Sequence, residues 1–339
     1  MVFEVTRKCG LSCGFCYNVW KAQKGPQPEE LALADYGHLA KILPPAGIFA
    51  LSGGEPLLRP DLMEIADLLR PKCKTLTLLT SGMDLTPALA TGIAERDMWT
   101  QLPVHGLKQA HDQTCGRPGA FNKLVSAFAT LKERGARYST STVASRLNLG
   151  NLRDILEFSV AMGSRYLLLI RFLPGGAGLN RKDLLLDPKQ TENAYEMLDE
   201  VCGYYGLRGG VGVPNLPCMI DEKRFKHVDF GSCGAGKRWF VVGPSGELRL
   251  CNHSPAVYGN LMHQTLDEIT AHPVLRDFGA DRIYPGSCSG CEKVAACRGG
   301  CRAAAETLHG DLRGPDPLYV EGARLPGFGP ERPSGHRNQ

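Results

Sequence analysis

The chain has 339 residues, 43% of them hydrophobic and 22% charged, with a formal net charge of +4. That is long enough for two domains with a buried core, and the composition is that of an ordinary soluble globular protein. The mild, scattered positive charge excludes an electrostatic nucleic-acid footprint, no apolar run reaches transmembrane length, and the first residues lack the regions of a signal peptide. The expectation is a cytoplasmic protein with no nucleic-acid or membrane partner.

In chain order, a first strand over 2–6 runs into Cys9, Cys13 and Cys16, spaced C-x3-C-x2-C. Three thiolates on one loop are one short of the four that a 4Fe–4S cluster usually takes, which leaves one iron open to a ligand that is not protein. A zinc loop is the plain alternative, but zinc takes four ligands in separated pairs, and the next Cys or His is His38. Tyr36, Leu39, Ala40 and Leu43 then follow helical spacing, and a second strand over 47–52 leads into Ser52-Gly53-Gly54-Glu55-Pro56. Two glycines behind a strand let backbone approach a ligand closely. Next come a helix with Leu62, Ile65, Ala66 and Leu69 on one face and Pro60 in its first turn, and a third strand over 75–80 followed by Ser81 and Gly82.

A fourth strand over 98–104 ends in Pro103-Val104-His105-Gly106, with His111, Asp112 and Cys115 beyond it. An unperturbed histidine titrates near neutral pH, so His105 is a candidate for handling a proton. A helix marked by Leu124, Ala127, Phe128 and Leu131 stops at Gly135, and a fifth strand covers 137–143. The next helix has Asn151 as N-cap and Asp154 at its third position, and ends by Gly163. A sixth strand over 166–172 carries Arg171, which suits a carboxylate of cofactor or substrate, or a rim salt bridge. A helix from Asp187, with Pro188 in its first turn, follows. Six strands alternating with helices predict parallel βα units, whose chemistry lies on loops beyond the C-terminal strand ends. The cysteine loop and the Gly-Gly turn both fall there.

After Gly203 the chain turns Gly- and Pro-rich, which sets a domain boundary near 205, and residues 321–339 read as a disordered tail by composition. Thirteen cysteines without a signal peptide point to metal rather than disulfides: three lie at 9–16, six between 233 and 301, and Cys73, Cys115, Cys202 and Cys218 stand apart. Cys233 and Cys251 sit at the base of a predicted hairpin, 239–242 and 248–250, turning at Pro244-Ser245-Gly246. Cys288, Cys291, Cys297 and Cys301 follow as C-x2-C-x5-C-x3-C. A structural zinc domain is the alternative, since thiolates suit both metals.

The cysteine loop, paired one βα unit later with Gly53-Gly54-Glu55-Pro56, resembles the radical S-adenosylmethionine (radical SAM) enzymes. The six later cysteines resemble the SPASM extension of that family, which carries auxiliary Fe–S clusters. The resemblance implies an α/β fold, a partial (β/α)6 radical SAM barrel over 1–205 and a cysteine-rich SPASM domain over 206–320. It implies that Cys9, Cys13 and Cys16 hold a 4Fe–4S cluster binding S-adenosylmethionine, that Gly53, Gly54 and Glu55 meet the methionine amino group, and that Phe15 lies against the adenine. Ser81 stands where relatives have the Asn of Thr-Asn-Gly, and Pro103-Val104-His105-Gly106 where they have Ser-Leu-Asp-Gly. The serine contact of that motif is lost or shifted here.

Carried over from the family, Cys233, Cys251 and Cys301 would hold one auxiliary cluster with Cys218 as candidate fourth ligand, and Cys288, Cys291 and Cys297 a second. The downstream cysteine of the second is missing, because Asp316-Pro317-Leu318-Tyr319 stands where relatives have Asp-Pro-x-Cys. Asp316, Asp311 or His309 would substitute, or the site is open, or the second cluster is absent. The implied activity is reductive cleavage of S-adenosylmethionine to a 5′-deoxyadenosyl radical that takes hydrogen from a substrate, with a flavodoxin or ferredoxin type electron donor. Peptide or protein side chains are the expected substrates, in maturation, crosslinking or oxidation; haem or tetrapyrrole precursors are the alternative. No precursor-binding segment precedes the first strand, which counts against a peptide unless that domain is a separate protein. A non-catalytic Fe–S carrier or metal scaffold is the alternative of another class, and the Gly-Gly-Glu turn argues against it.

Overall fold

The computed structural model describes residues 1–326 and 328. Six βα units open the chain: β1 Val2–Thr6, α1 Leu33–Ile42, β2 Ala46–Gly53, α2 Leu62–Leu69, β3 Cys73–Leu79, α3 Pro87–Glu95 and β4 Trp99–Pro103. The run continues with α4 Gln109–Cys115, α5 Ala120–Glu133, β5 Arg137–Ala144, α6 Leu152–Ala161, β6 Leu167–Arg171 and α7 Pro188–Tyr205. All strand neighbours from β1 to β6 pair in parallel. Each predicted strand is present, with ends shifted by at most two residues.

Two caps differ from expectation. The Asn151 side chain makes no cap hydrogen bond, because Leu149–Asn151 already form a 3-10 turn leading into α6. Pro60 lies one residue before Asp61, the N-cap of α2, and so outside the helix. Pro188 does occupy the first turn of α7, behind Asp187, which accepts from Gln190 N–H at 2.8 Å.

The parallel sheet runs further than six strands. β7 Gly209–Val211 and β8 Val228–Phe230 extend it beyond β6. Three-residue strands carry too little hydrophobic pattern to announce themselves, and Gly209-Gly210 reads as a loop. The expected boundary near 205 coincides with the end of α7, after which the chain first completes the same sheet.

The predicted hairpin, β9 Val241–Val242 and β10 Glu247–Arg249, returns to the opposite edge, where β9 pairs in parallel with β1 and β11 Val257–Asn260 closes the order. One eleven-stranded sheet results, β11-β10-β9-β1-β2-β3-β4-β5-β6-β7-β8. Helices α8 Leu266–Thr270, α9 Pro273–Gly279, α10 Val294–Cys297 and α11 Arg302–His309 surround the later cysteines. Of the expected tail, residues 327 and 329–339 lie outside the described residues. Residues just before them are seated: Leu325 N–H donates to Cys218 O at 2.8 Å.

Strand alternation separates the two faces. Phe3, Val5, Phe49, Leu51, Leu76, Leu78 and Leu102 pack with Leu39, Ile65, Leu69, Leu124 and Phe128 of the helices into the main core. The opposite faces keep Thr77, Gln101, Ser141 and Ile170 partly exposed, lining an open interior. A second core forms where Leu167, Leu169 and Val211 meet Tyr195, Leu198 and Val201 of α7. Among the described residues no helix is long and apolar enough to cross a membrane.

Candidate functional site

The cysteine loop leaves β1 at the C-terminal end of the sheet and is braced from three sides. From β2, Gly54 N–H donates to Thr6 O and Glu55 N–H to Lys8 O, both at 2.7 Å. Glycine is required there: a Cβ on Gly53, whose φ is +127°, would lie 2.5 Å from Thr6 O, and one on Gly54 would overlap the Lys8 carbonyl. The close approach expected toward a ligand is thus also one toward the root of the cysteine loop. From α4, Cys115 O accepts from Ser12 N–H at 3.0 Å, and Arg117 donates to Gly10 O at 3.0 Å. From beyond β6, Gly178 N–H reaches Cys16 O at 3.4 Å. Asn18, not singled out in the sequence, adds a tie from its Nδ2 to Gly53 O at 2.8 Å.

Cys9, Cys13 and Cys16 are free, partly exposed thiols. Burial raises the pKa of Cys9, and brings that of Cys16 to about 11. Cys13 is raised by its contact with Cys115 and then by burial. Lys21, whose ammonium donates to Leu11 O at 3.2 Å, faces all three thiols and opposes these shifts. Metal binding must expel the thiol protons, and Lys21 offsets the negative charge that results. Nothing in the spacing marked it, since it lies beyond the motif.

Among the described residues no group of three or more His, Cys, Asp or Glu side chains converges tightly enough for a single metal ion. A lone zinc, bound at about 2.3 Å to each sulfur, has no preset site here. A multi-iron cluster takes thiolates and holds them further apart. Three soft donors on one loop, with a cation beside them, fit the cluster.

Glu55 and Ser81, both expected at the cofactor, are brought together. The Glu55 carboxylate is 2% exposed and accepts from Thr80 Oγ1 at 2.6 Å, Ser81 N–H at 2.8 Å, the Ser81 hydroxyl, and Leu57 N–H at 3.1 Å. Burial raises its pKa against the pull of those donors. Its side chain therefore ties the β2 loop to the β3 loop.

Phe15 projects from the cysteine loop edge-on to the ring of His105, with centroids 4.8 Å apart. His105 Nδ1 accepts from Val143 N–H at 3.2 Å, and His111 Nε2 lies 3.4 Å from Cys115 Sγ. Burial lowers the pKa of His105 to about 3 and that of His111 to about 4. The His105 imidazole is therefore held neutral near pH 7, with its ring against Phe15.

Arg171 also departs from expectation. It shares the strand parity of Leu167 and Leu169, which face α7, and it pairs with Asp316 at 2.7 Å, the two side chains 4% and 0% exposed. The rim salt bridge, not a ligand carboxylate, takes the guanidinium. Asp316 is thereby committed: it also accepts from Cys301 N–H at 2.6 Å and Leu318 N–H at 2.7 Å. His309 contacts Pro315 O at 3.2 Å, and Asp311 accepts from Arg313 N–H at 2.8 Å; both contacts are exposed.

The later cysteines form two separate sets. Burial raises the thiols of Cys251 and Cys301, the latter to about 11, and both feel Cys233. Tyr17, next to Cys16, lies tilted against His253, two residues beyond Cys251, with ring centroids 4.7 Å apart. This set thus faces the N-terminal loop across the interior. Cys218, expected with this set, stands elsewhere: it lines one cleft with Cys288, Cys291 and Cys297.

The profile described as the Radical SAM superfamily matches residues 3–159, and that of an iron–sulfur cluster-binding SPASM domain matches residues 233–292. The chain carries a radical SAM domain, with a 4Fe–4S cluster and S-adenosylmethionine as its cofactors. A SPASM domain with auxiliary Fe–S clusters follows it. It is 28% identical over 332 residues to the PqqA peptide cyclase of Ruegeria pomeroyi, covering 94% of this chain and 86% of the relative. It is 25% identical over 339 residues to the AdoMet-dependent heme synthase of Nitratidesulfovibrio vulgaris, covering 94% and 91%. Among solved structures, native anSMEcpe with bound AdoMet and Cp18Cys peptide superposes with a TM-score of 0.72 at 18% identity, covering 94% of this chain and 92% of that one. That likeness is one of fold.

Proposed function

We propose that this radical SAM enzyme acts on a peptide or protein side chain, abstracting a hydrogen in a maturation, crosslinking or oxidation reaction. When bound and reduced, the N-terminal cluster supplies the electron that cleaves S-adenosylmethionine to a 5′-deoxyadenosyl radical. Cys9, Cys13 and Cys16 hold that cluster, with Lys21 balancing charge. The backbone of Gly53, Gly54 and Glu55 frames the methionine end, Ser81 fixes that turn through Glu55, and Phe15 packs at the adenine side. An external one-electron donor of flavodoxin or ferredoxin type is required, and the reading places the protein in the cytoplasm, where its thiols stay reduced.

One observation favours a peptide over a tetrapyrrole. Carboxylate-bearing macrocycles call for free cations at the site, and among the described residues the four buried arginines are all taken. Arg171 pairs with Asp316, Arg249 with Glu4, Arg298 with Asp281, and Arg302 donates to the carbonyls of Leu312 and Gly314. The interior presents neutral Thr77, Gln101 and Ser141 instead. Anaerobically reconstituted protein with dithionite and S-adenosylmethionine tests this. A small peptide should lose hydrogen by mass spectrometry in step with 5′-deoxyadenosine release. Turnover of a porphyrin carboxylate with none of any peptide would reverse the substrate assignment, and no 5′-deoxyadenosine at all would leave an electron carrier.

A further inference from the structure

Cys218 stands far from the C-x2-C-x5-C-x3-C run in sequence, on a turn beyond β7. That turn is fixed locally: Met219 N–H donates to Leu216 O at 2.8 Å, and Asn215 Nδ2 to Ile220 O at 3.1 Å. Its thiol lines the same cleft as those of Cys288, Cys291 and Cys297. Residues from after α11 bind the two segments together. Leu325 N–H holds Cys218 O at 2.8 Å, while Arg324 donates to Ser287 O and lies over the Tyr319 ring at 5.3 Å. The Arg324 guanidinium thus lines the same cleft as thiols from both segments. Gly299, at φ +72°, folds the run back so that a Cβ there would lie 3.2 Å from Cys288 Sγ.

We infer that Cys218, Cys288, Cys291 and Cys297 are the four protein ligands of one auxiliary iron–sulfur cluster. The ligand missing downstream of Cys301 is supplied from upstream, by the segment that completes the parallel sheet. Four thiolates fill the usual protein complement of such a cluster. Asp316 also borders the cleft, but its carboxylate serves Arg171, Cys301 N–H and Leu318 N–H. Cys233, Cys251 and Cys301 are then a three-thiolate set, whose cluster keeps one iron without a cysteine.

Two full-length backgrounds test this by iron content and Mössbauer spectroscopy, without reference to turnover. In one, Cys233, Cys251 and Cys301 are changed to alanine; in the other, Cys288, Cys291 and Cys297. Adding Cys218→Ala should alter the spectrum of the remaining auxiliary cluster in the first background and leave the second unchanged. An effect in the second background overturns the inference, and so does silence in the first. Should these variants fail to fold, alkylation of wild-type protein during stepwise cluster removal reads the same grouping. Cys218 should become reactive together with Cys288, Cys291 and Cys297. Its modification before any iron leaves, or together with Cys233, Cys251 and Cys301, overturns the assignment.

Discussion

His105 and His111 illustrate how far a single residue's role depends on what encloses it. Both are uncharged in the folded protein at pKa values of about 3 and 4, because burial disfavours the imidazolium. An unfolded chain binds protons at these positions from about pH 6.5 downward, and the folded one does not until well below that. The unfolded state therefore holds more protons through this window, so stability is full above about pH 6.5 and is lost as pH falls toward 4. Chemical denaturation of reconstituted protein between about pH 5 and 6.5 should show this slope, and His105→Asn should make it shallower by about 1 kcal/mol per pH unit across that window. An unchanged slope would mean that His105 is charged in the native state. Arg171 carries the same lesson for legibility. The alternation of its strand was readable, but its partner Asp316 lies 145 positions away, and hydrophobic pattern says nothing about which distant segment arrives.

At the level of elements, the strands and the long helices were readable because period-2 and period-3.6 patterns report which face is buried. The Gly53-Gly54 turn was readable as a close approach, though its nearest neighbour proves to be the backbone of Thr6 to Lys8. That makes the turn part of the scaffold of the cysteine loop. Gly54→Ala should force the loop off β2, and the purified variant should lose the iron held by Cys9, Cys13 and Cys16 while keeping that of the later cysteines. The loss should be about four irons per chain on cluster stoichiometry, read by iron analysis and by S-adenosylmethionine binding. Retention of all iron would show that the loop tolerates the added methyl. The short β7 and β8 and the grouping of Cys218 were not readable, since three residues define no period and ligand sets are chosen by folding.

At the scale of the whole molecule, the two family regions share one sheet. β9 pairs with β1, and the buried Arg249 of β10 meets the equally buried Glu4 of β1. Burial raises Glu4 to about 7, against the pull of Arg249. A chain ending at residue 232 would uncover the β1 edge and strand that carboxylate. Unpaired edges and unpartnered buried charges both disfavour a folded state. The truncated chain should accumulate as insoluble protein, measured as the fraction recovered after centrifugation, whereas full-length protein should not. Recovery of a soluble, cooperatively unfolding fragment would show that the seam is dispensable.

The continuous ladder across β9 and β1 also bears on how electrons move. The β9–β1 pairing ties the strand that precedes the N-terminal thiols to the hairpin that precedes Cys251, and the Tyr17 and His253 rings lie 4.7 Å apart between them. An electron passing between the two cysteine sets would therefore cross a separation written into one sheet, not one left to a linker between domains.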